Sequence, residues 1–143
     1  MIASGNTVLL HLPASVLSLG EGRDAVRDAL RSEGWRGEAA ELVVLAVSEA
    51  LTNAFEHGSL PGEQVEVEIA ASAERILVSV TDRGRPGSAT PAVPRPAPVG
   101  SCPHGRGMII MGALADAMEV RAAGAGTRVR LEFLRPPSAR LAA

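Results

Sequence analysis

Glu49, Asn53 and His57 stand at successive i, i+4 spacings in the run Ser48-Glu49-Ala50-Leu51-Thr52-Asn53-Ala54-Phe55-Glu56-His57-Gly58. Residues so spaced share one face of a helix. A carboxylate and a carboxamide one turn apart can act as a base and as an oxygen ligand for a hard cation such as Mg2+; the plainer alternative is the polar edge of an amphipathic helix. Residues 39–47 read as the first turns of the same helix. Val43, Val44, Val47, Leu51 and Ala54 form its core-facing stripe, and Gly58 is expected to close it as a left-handed C-terminal residue.

A chain of 143 residues is long enough for one well-buried core and too short for two domains. With a formal net charge of -2 it carries neither a nucleic-acid footprint nor a polybasic membrane patch. Cys102 is the single cysteine, which excludes an internal disulfide framework and a cysteine-based zinc cluster and fits a reducing compartment. No signal-peptide pattern and no apolar run near the ~20 residues of a membrane span is present, so a cytoplasmic protein is expected.

The elements that must position the polar helix follow from periodicity. Residues 6–12 read as a first strand closed by Pro13. Residues 21–32 read as a helix with Val26, Ala29 and Leu30 inward and Gly34 as its stop. Period-two alternation at Val65, Val67, Ile69 and at Ile76, Val78, Val80 marks a hairpin over 64–70 and 75–81. Residues 85–104 hold six of the ten prolines and are expected to form a long loop, either disordered or a functional lid. Gly105-Arg106-Gly107 leads into a buried helix over 108–116, whose N-terminus is a potential phosphate site. A second hairpin occupies 118–121 and 127–134, with Val129, Leu131 and Phe133 inward. Hairpins rather than strict alternation of strand and helix imply an α+β two-layer sandwich, a mostly antiparallel sheet covered on one face by helices. One domain is expected over 1–134, followed by a disordered tail over 135–143.

Three pieces then belong together: Glu49 with Asn53 on a helix, Thr81-Asp82-Arg83-Gly84 at a strand end, and Gly105-Arg106-Gly107 at a helix start. In this order, with a terminal Gly126-Thr127-Arg128-Val129 strand, they resemble the GHKL or Bergerat ATP-binding domain of gyrase, histidine kinases and mismatch-repair proteins. Within it the chain most resembles the small anti-sigma-factor serine kinases of bacterial partner-switching systems, over about residues 9–133. The resemblance implies that Asn53 ligates Mg2+ on ATP and that Glu49 is the general base. It further implies that Asp82 accepts from the adenine amine, with Gly84 allowing close approach and Thr127 assisting, and that Gly105 and Gly107 meet the phosphates. Arg106 is read equally as a phosphate contact or a surface residue. Arg23 corresponds to an arginine that contacts the sigma factor and its antagonist; a solvated surface arginine is the even alternative. His57 is read as a helix charge partner or packing residue, His11 and His104 add no metal pattern to it, and Trp35 is read as a local core anchor.

The family commonly shows Asp-x-Gly-x-Gly, whereas here Asp82-Arg83-Gly84-Arg85-Pro86-Gly87 places a proline at the second glycine. Proline fixes φ and removes an N–H, so either the adenine-side loop is displaced or Gly87 takes over after a one-residue shift. The resemblance implies a protein serine kinase that phosphorylates an anti-anti-sigma protein of the STAS type, binds a sigma factor and forms a homodimer. Two alternatives stand beside it: a non-catalytic module that regulates a partner by binding, and a simple ATPase.

Overall fold

Alternating apolar residues close two neighbouring stretches into a hairpin of β2 (Gln64–Ala71) and β3 (Arg75–Thr81), pairing Val67 with Val80 and Ile69 with Val78. A computed structural model describes residues 6–84 and 103–137 of the chain. β1 (Asn6–Pro13) adds to the outer edge of β2, bringing Leu12 opposite Val65. β5 (Gly126–Leu134) pairs with β3, and β4 (Ala117–Ala123) is the far edge. The sheet order is β1-β2-β3-β5-β4, and every pair is antiparallel. One face is apolar: Leu12, Val65, Val67, Ile69, Ile76, Val78 and Leu131 are fully buried.

Three helices cover that face: α1 (Leu19–Ser32), preceded by a single 3₁₀ turn at Val16–Ser18, α2 (Gly37–Asn53) and α3 (Pro103–Leu114). This is the expected two-layer α+β sandwich. α2 buries most of its circumference because it packs on α1, on α3 and on the sheet. Val43, Val47 and Leu51 are buried there beside Val26 and Leu30 of α1 and Met111 of α3. At about 1.5–3 kcal/mol for each large aliphatic side chain, α2 is the element most firmly anchored, a suitable mount for a site. Among the described residues no helix is long and apolar enough to cross a membrane.

The end of α1 is capped by two reciprocal bonds, Trp35 N–H to Leu30 C=O and Gly34 N–H to Arg31 C=O. Gly34 has φ +83°, as this left-handed cap requires. Trp35 is buried, as expected, and donates its ring N–H to the Ser72 carbonyl at 2.9 Å. The fold also continues one residue past the boundary expected at 134. Arg135 is buried and donates to the carbonyls of Gly34 (2.8 Å) and Ala73 (3.3 Å), while its own N–H bonds Glu74 C=O. Residues 138–143 of the expected tail lie outside the described residues.

Two helix boundaries differ from expectation. The α-helical ladder of α2 stops at Asn53, and Ala54–Gly58 widens into a π turn closed by Ser59 N–H on Ala54 C=O. Gly58 is not in a left-handed conformation; close packing, described below, explains it instead. α3 begins at Pro103 rather than after the glycines, because proline is well suited to a first helical position. The expected loop therefore gives up its last two residues, and 85–102, with Pro86, Gly87 and Cys102, lie outside the described residues.

Candidate functional site

Glu49 and Asn53 lie one turn apart on α2, both half-buried, where the helix leads into the π turn. Among the described residues neither side chain makes a hydrogen bond or ion pair within the fold, which leaves both free to meet a ligand. π turns recur at functional sites because one extra residue redirects the chain without ending the helix. Here the redirected chain runs directly to the strand-end turn. Ser59 is fully buried, forms a parallel bridge with Gly84, and accepts the Arg83 N–H on its Oγ at 3.0 Å.

Asp82 is held from both sides. Its N–H donates to Thr127 C=O at 2.9 Å, and its Oδ1 accepts the Thr127 and Gly84 N–H groups, each at 3.0 Å. Oδ2 accepts from no described residue and lies against Gly58. Three glycines make this packing possible. A Cβ on Gly58 would overlap the Asp82 carboxylate, one on Gly84 the Ala125 carbonyl, and one on Gly126 the Asp82 carbonyl. Gly84 also has φ +83°, so two separate reasons forbid a side chain there. The three glycines form a close-packed cradle around Asp82, and Oδ2 is left without a donor among the described residues.

Burial pushes the Asp82 carboxyl above the ordinary aspartate value of 3.8, and the N–H bonds from Thr127 and Gly84 pull it back only in part. The folded protein thus binds this proton more tightly than the unfolded chain does. Its ionised form costs stability at neutral pH, and that cost disappears as pH falls through the raised value toward 3.8. Asp82→Asn keeps an Oδ1 acceptor without the charge. Thermal melts should therefore show the stability of the variant relative to wild type declining as pH is lowered from neutrality toward 4. A relative stability that rises on acidification would mean that the two N–H bonds outweigh burial.

The remaining expected residues are distributed as follows. Asp82, Gly84 and Thr127 come together, and Gly58 and Ser59 tie them to the helix bearing Glu49 and Asn53. Gly105, Arg106 and Gly107 lie inside the first turns of α3, which packs on α2. In a helix starting at Pro103, which has no N–H itself, the described N–H groups without an intrahelical partner are those of His104 and Gly105. The Arg106 and Gly107 N–H groups fall within the ladder, so an anion at this end would meet the residues before them. Arg23 is elsewhere: it sits on α1, half-buried, and donates its Nε–H to Ser48 Oγ at 2.9 Å, so it is not simply a solvated arginine. His57 lies 3.7 Å from Glu56.

Ser59, Gly58 as a packing neighbour of Asp82, and Gly126 were not legible as site residues. Ser59 has no motif around it, and a glycine in sequence does not disclose whether conformation or close approach selects it. On the helix-free face a hollow of about 430 Å³ is lined in part by Asp82 itself, with His11, Glu63, Glu66, Thr81 and Arg83. No group of three His, Cys, Asp or Glu among the described residues could hold a metal unaided. A hard cation here would need oxygens from its ligand in addition to Asn53, the usual habit of Mg2+.

No curated protein matches the sequence significantly. The crystal structure of the RsbU and RsbW domains of Rv1364c from Mycobacterium tuberculosis shares the fold, with a TM-score of 0.69 and 22% identity. The likeness covers 94% of this chain and 34% of that one, so the chain spans about a third of that protein's length. The model of the histidine kinase-like ATPase domain matches residues 12–133, from β1 through to β5 and across every site element described above. The chain therefore belongs to the histidine kinase-like ATPase domain family.

Proposed function

We propose that this protein is an ATP-dependent protein serine kinase and anti-sigma factor. Its substrate would be a serine on an anti-anti-sigma protein of the STAS type, and its captive a sigma factor released when that antagonist competes. The observation that carries the nucleotide reading is the Asp82 cradle. An Asp82 carboxylate whose Oδ1 is held by the Gly84 and Thr127 N–H groups and whose Oδ2, against Gly58, has no described donor suits the exocyclic amine of adenine, with the Thr127 hydroxyl assisting in this reading. Asn53 supplies a carboxamide oxygen suited to Mg2+, which when bound neutralises charge on the triphosphate. The free N-terminal amides of α3, at His104 and Gly105, would meet phosphate oxygens, with Arg106 and Gly107 following in the same turn.

Glu49 takes the proton from the serine hydroxyl as that oxygen attacks the γ-phosphorus. The bond to the β,γ-bridging oxygen breaks, leaving ADP and a phosphoserine. Arg23 on α1 would contact the protein partners. In the homodimer this reading includes, the helix-free face is the natural surface. Glu66 and Glu68 lie on its β2 side, and Arg121, Arg128 and Arg130, interspersed with Glu119 and Glu132, on its β4 and β5 side, so this charged face would meet its own copy about a two-fold axis.

The test is calorimetric titration with ATP, with and without Mg2+, on the wild type, Asp82→Asn and Asn53→Ala. Micromolar binding is expected for the wild type, about -8 kcal/mol at ~1 μM. Asp82→Asn should abolish it, because its amide presents N–H where adenine also presents N–H. Asn53→Ala should lose the Mg2+ dependence, about tenfold in affinity, and retain the remainder. No binding by the wild type would mean that Pro86 has disrupted the adenine-side loop, and the chain would then be a partner-binding module without catalysis.

A further inference from the structure

α1 and α2 touch most closely at Gly22, where an added Cβ would lie 2.6 Å from Leu51 Cδ1. That approach brings the next residue, Arg23, within reach of α2. Its Nε–H donates to Ser48 Oγ at 2.9 Å, and the same oxygen donates its proton back to Val44 C=O at 2.7 Å. Ser48 is buried, so its hydroxyl orientation is fixed by one acceptor in its own helix and one donor from another. Glu49 follows directly, and Asn53 lies one turn beyond Glu49. The other α1 arginines behave differently: Arg27 pairs with Asp24 and Glu41, and Arg31 with Asp28, whereas Arg23 makes no ion pair among the described residues.

We infer that Arg23 is a positioning residue for the site: through Ser48 it fixes the turn of α2 that carries Glu49. The inference rests on the kinase reading for its catalytic consequence and on geometry alone for its structural one. Only the Nε side of the guanidinium is engaged inward. The two terminal nitrogens have no partner among the described residues and are the ones a carboxylate on a docking protein would take. An acidic partner engaging them would pull on the same side chain that orients Ser48.

Arg23→Gln and Arg23→Met separate this from simple packing of one helix on another. Glutamine keeps an N–H donor at the branch point where arginine has Nε, and methionine keeps the stem without it. Amide hydrogen exchange over residues 46–53, measured without nucleotide, should rise in Arg23→Met and in Ser48→Ala and return toward wild type in Arg23→Gln. Turnover of Mg2+·ATP should show the same order, with kcat reduced about tenfold in Arg23→Met and Ser48→Ala and KM for ATP within about twofold. The Arg23→Met/Ser48→Ala double variant should be no worse than either single one. Equal damage from glutamine and methionine, or additive damage in the double variant, would overturn the inference. If the wild type turns over no ATP, the kinase reading falls by itself, and the exchange pattern still decides whether Arg23 positions α2.

Discussion

Glu49→Gln is expected to lower phosphoryl transfer by about 10²–10⁴-fold, the usual range for removing a general base, and to leave ATP affinity within about twofold. The substitution preserves shape and removes only the ability to take a proton. Because Glu49 is half-buried and makes no bond or ion pair within the described fold, no structural contact is lost with the charge. Thermal stability should accordingly be unchanged. Single-turnover transfer to the partner serine, or to water when no partner is supplied, measures the rate, and calorimetry measures the affinity. A rate near wild type would place the base elsewhere. A large loss of affinity would make Glu49 a nucleotide-holding residue instead.

Gly58→Ala should weaken ATP binding by at least ~100-fold, equivalent to about 2.7 kcal/mol, although Gly58 itself offers no side chain to a ligand. A Cβ at this position overlaps the Asp82 carboxylate. The carboxylate is the end of a short side chain and can rotate away, but it then abandons the Gly84 and Thr127 N–H groups and the orientation that Oδ2 needs. Lost hydrogen bonds are offset in part by releasing a carboxylate whose burial is unfavourable. The net cost in stability should therefore stay near ~1–2 kcal/mol, enough to lower the melting temperature by several degrees but not to unfold the protein. Undiminished ATP affinity in a folded Gly58→Ala protein would remove Asp82 from nucleotide recognition.

The strands were legible because their pattern has a single explanation. Val65, Val67, Ile69 and Ile76, Val78, Val80 alternate, and only a half-buried strand pair places all six on one side. The stripe of α2 was equally clear, yet it concealed the π turn. Ala54 and Phe55 are both buried and carry the apolar pattern straight through the point where the ladder changes. Glycine was the least transparent residue. Gly34 and Gly58 both looked like helix stops; the first is one, while the second makes room for a carboxylate that arrives from 24 residues later in the chain. Proline misled at the other end, since Pro103, read as part of the loop, opens α3. Of the candidate site, Glu49 and Asn53 stood out by type and spacing, whereas Asp82 entered only through the resemblance to the family. Ser48 and Ser59 did not stand out, because what each does is decided by a donor brought in from a distant element.

Arg135 also bears on how the protein can be joined to others. By fastening the end of β5 to the α1 cap and to the β2–β3 turn, it fixes where the chain leaves the sheet. That exit is beside Arg75, which pairs with Leu134, whereas Asp82 follows Thr81 at the opposite end of β3. Six residues of strand separate the two, about 20 Å at the usual rise. A tag, a linker or a second domain appended after Arg135 would begin on the side remote from Asp82, and a truncation that removed Arg135 would release the cap of α1, the helix that carries Arg23.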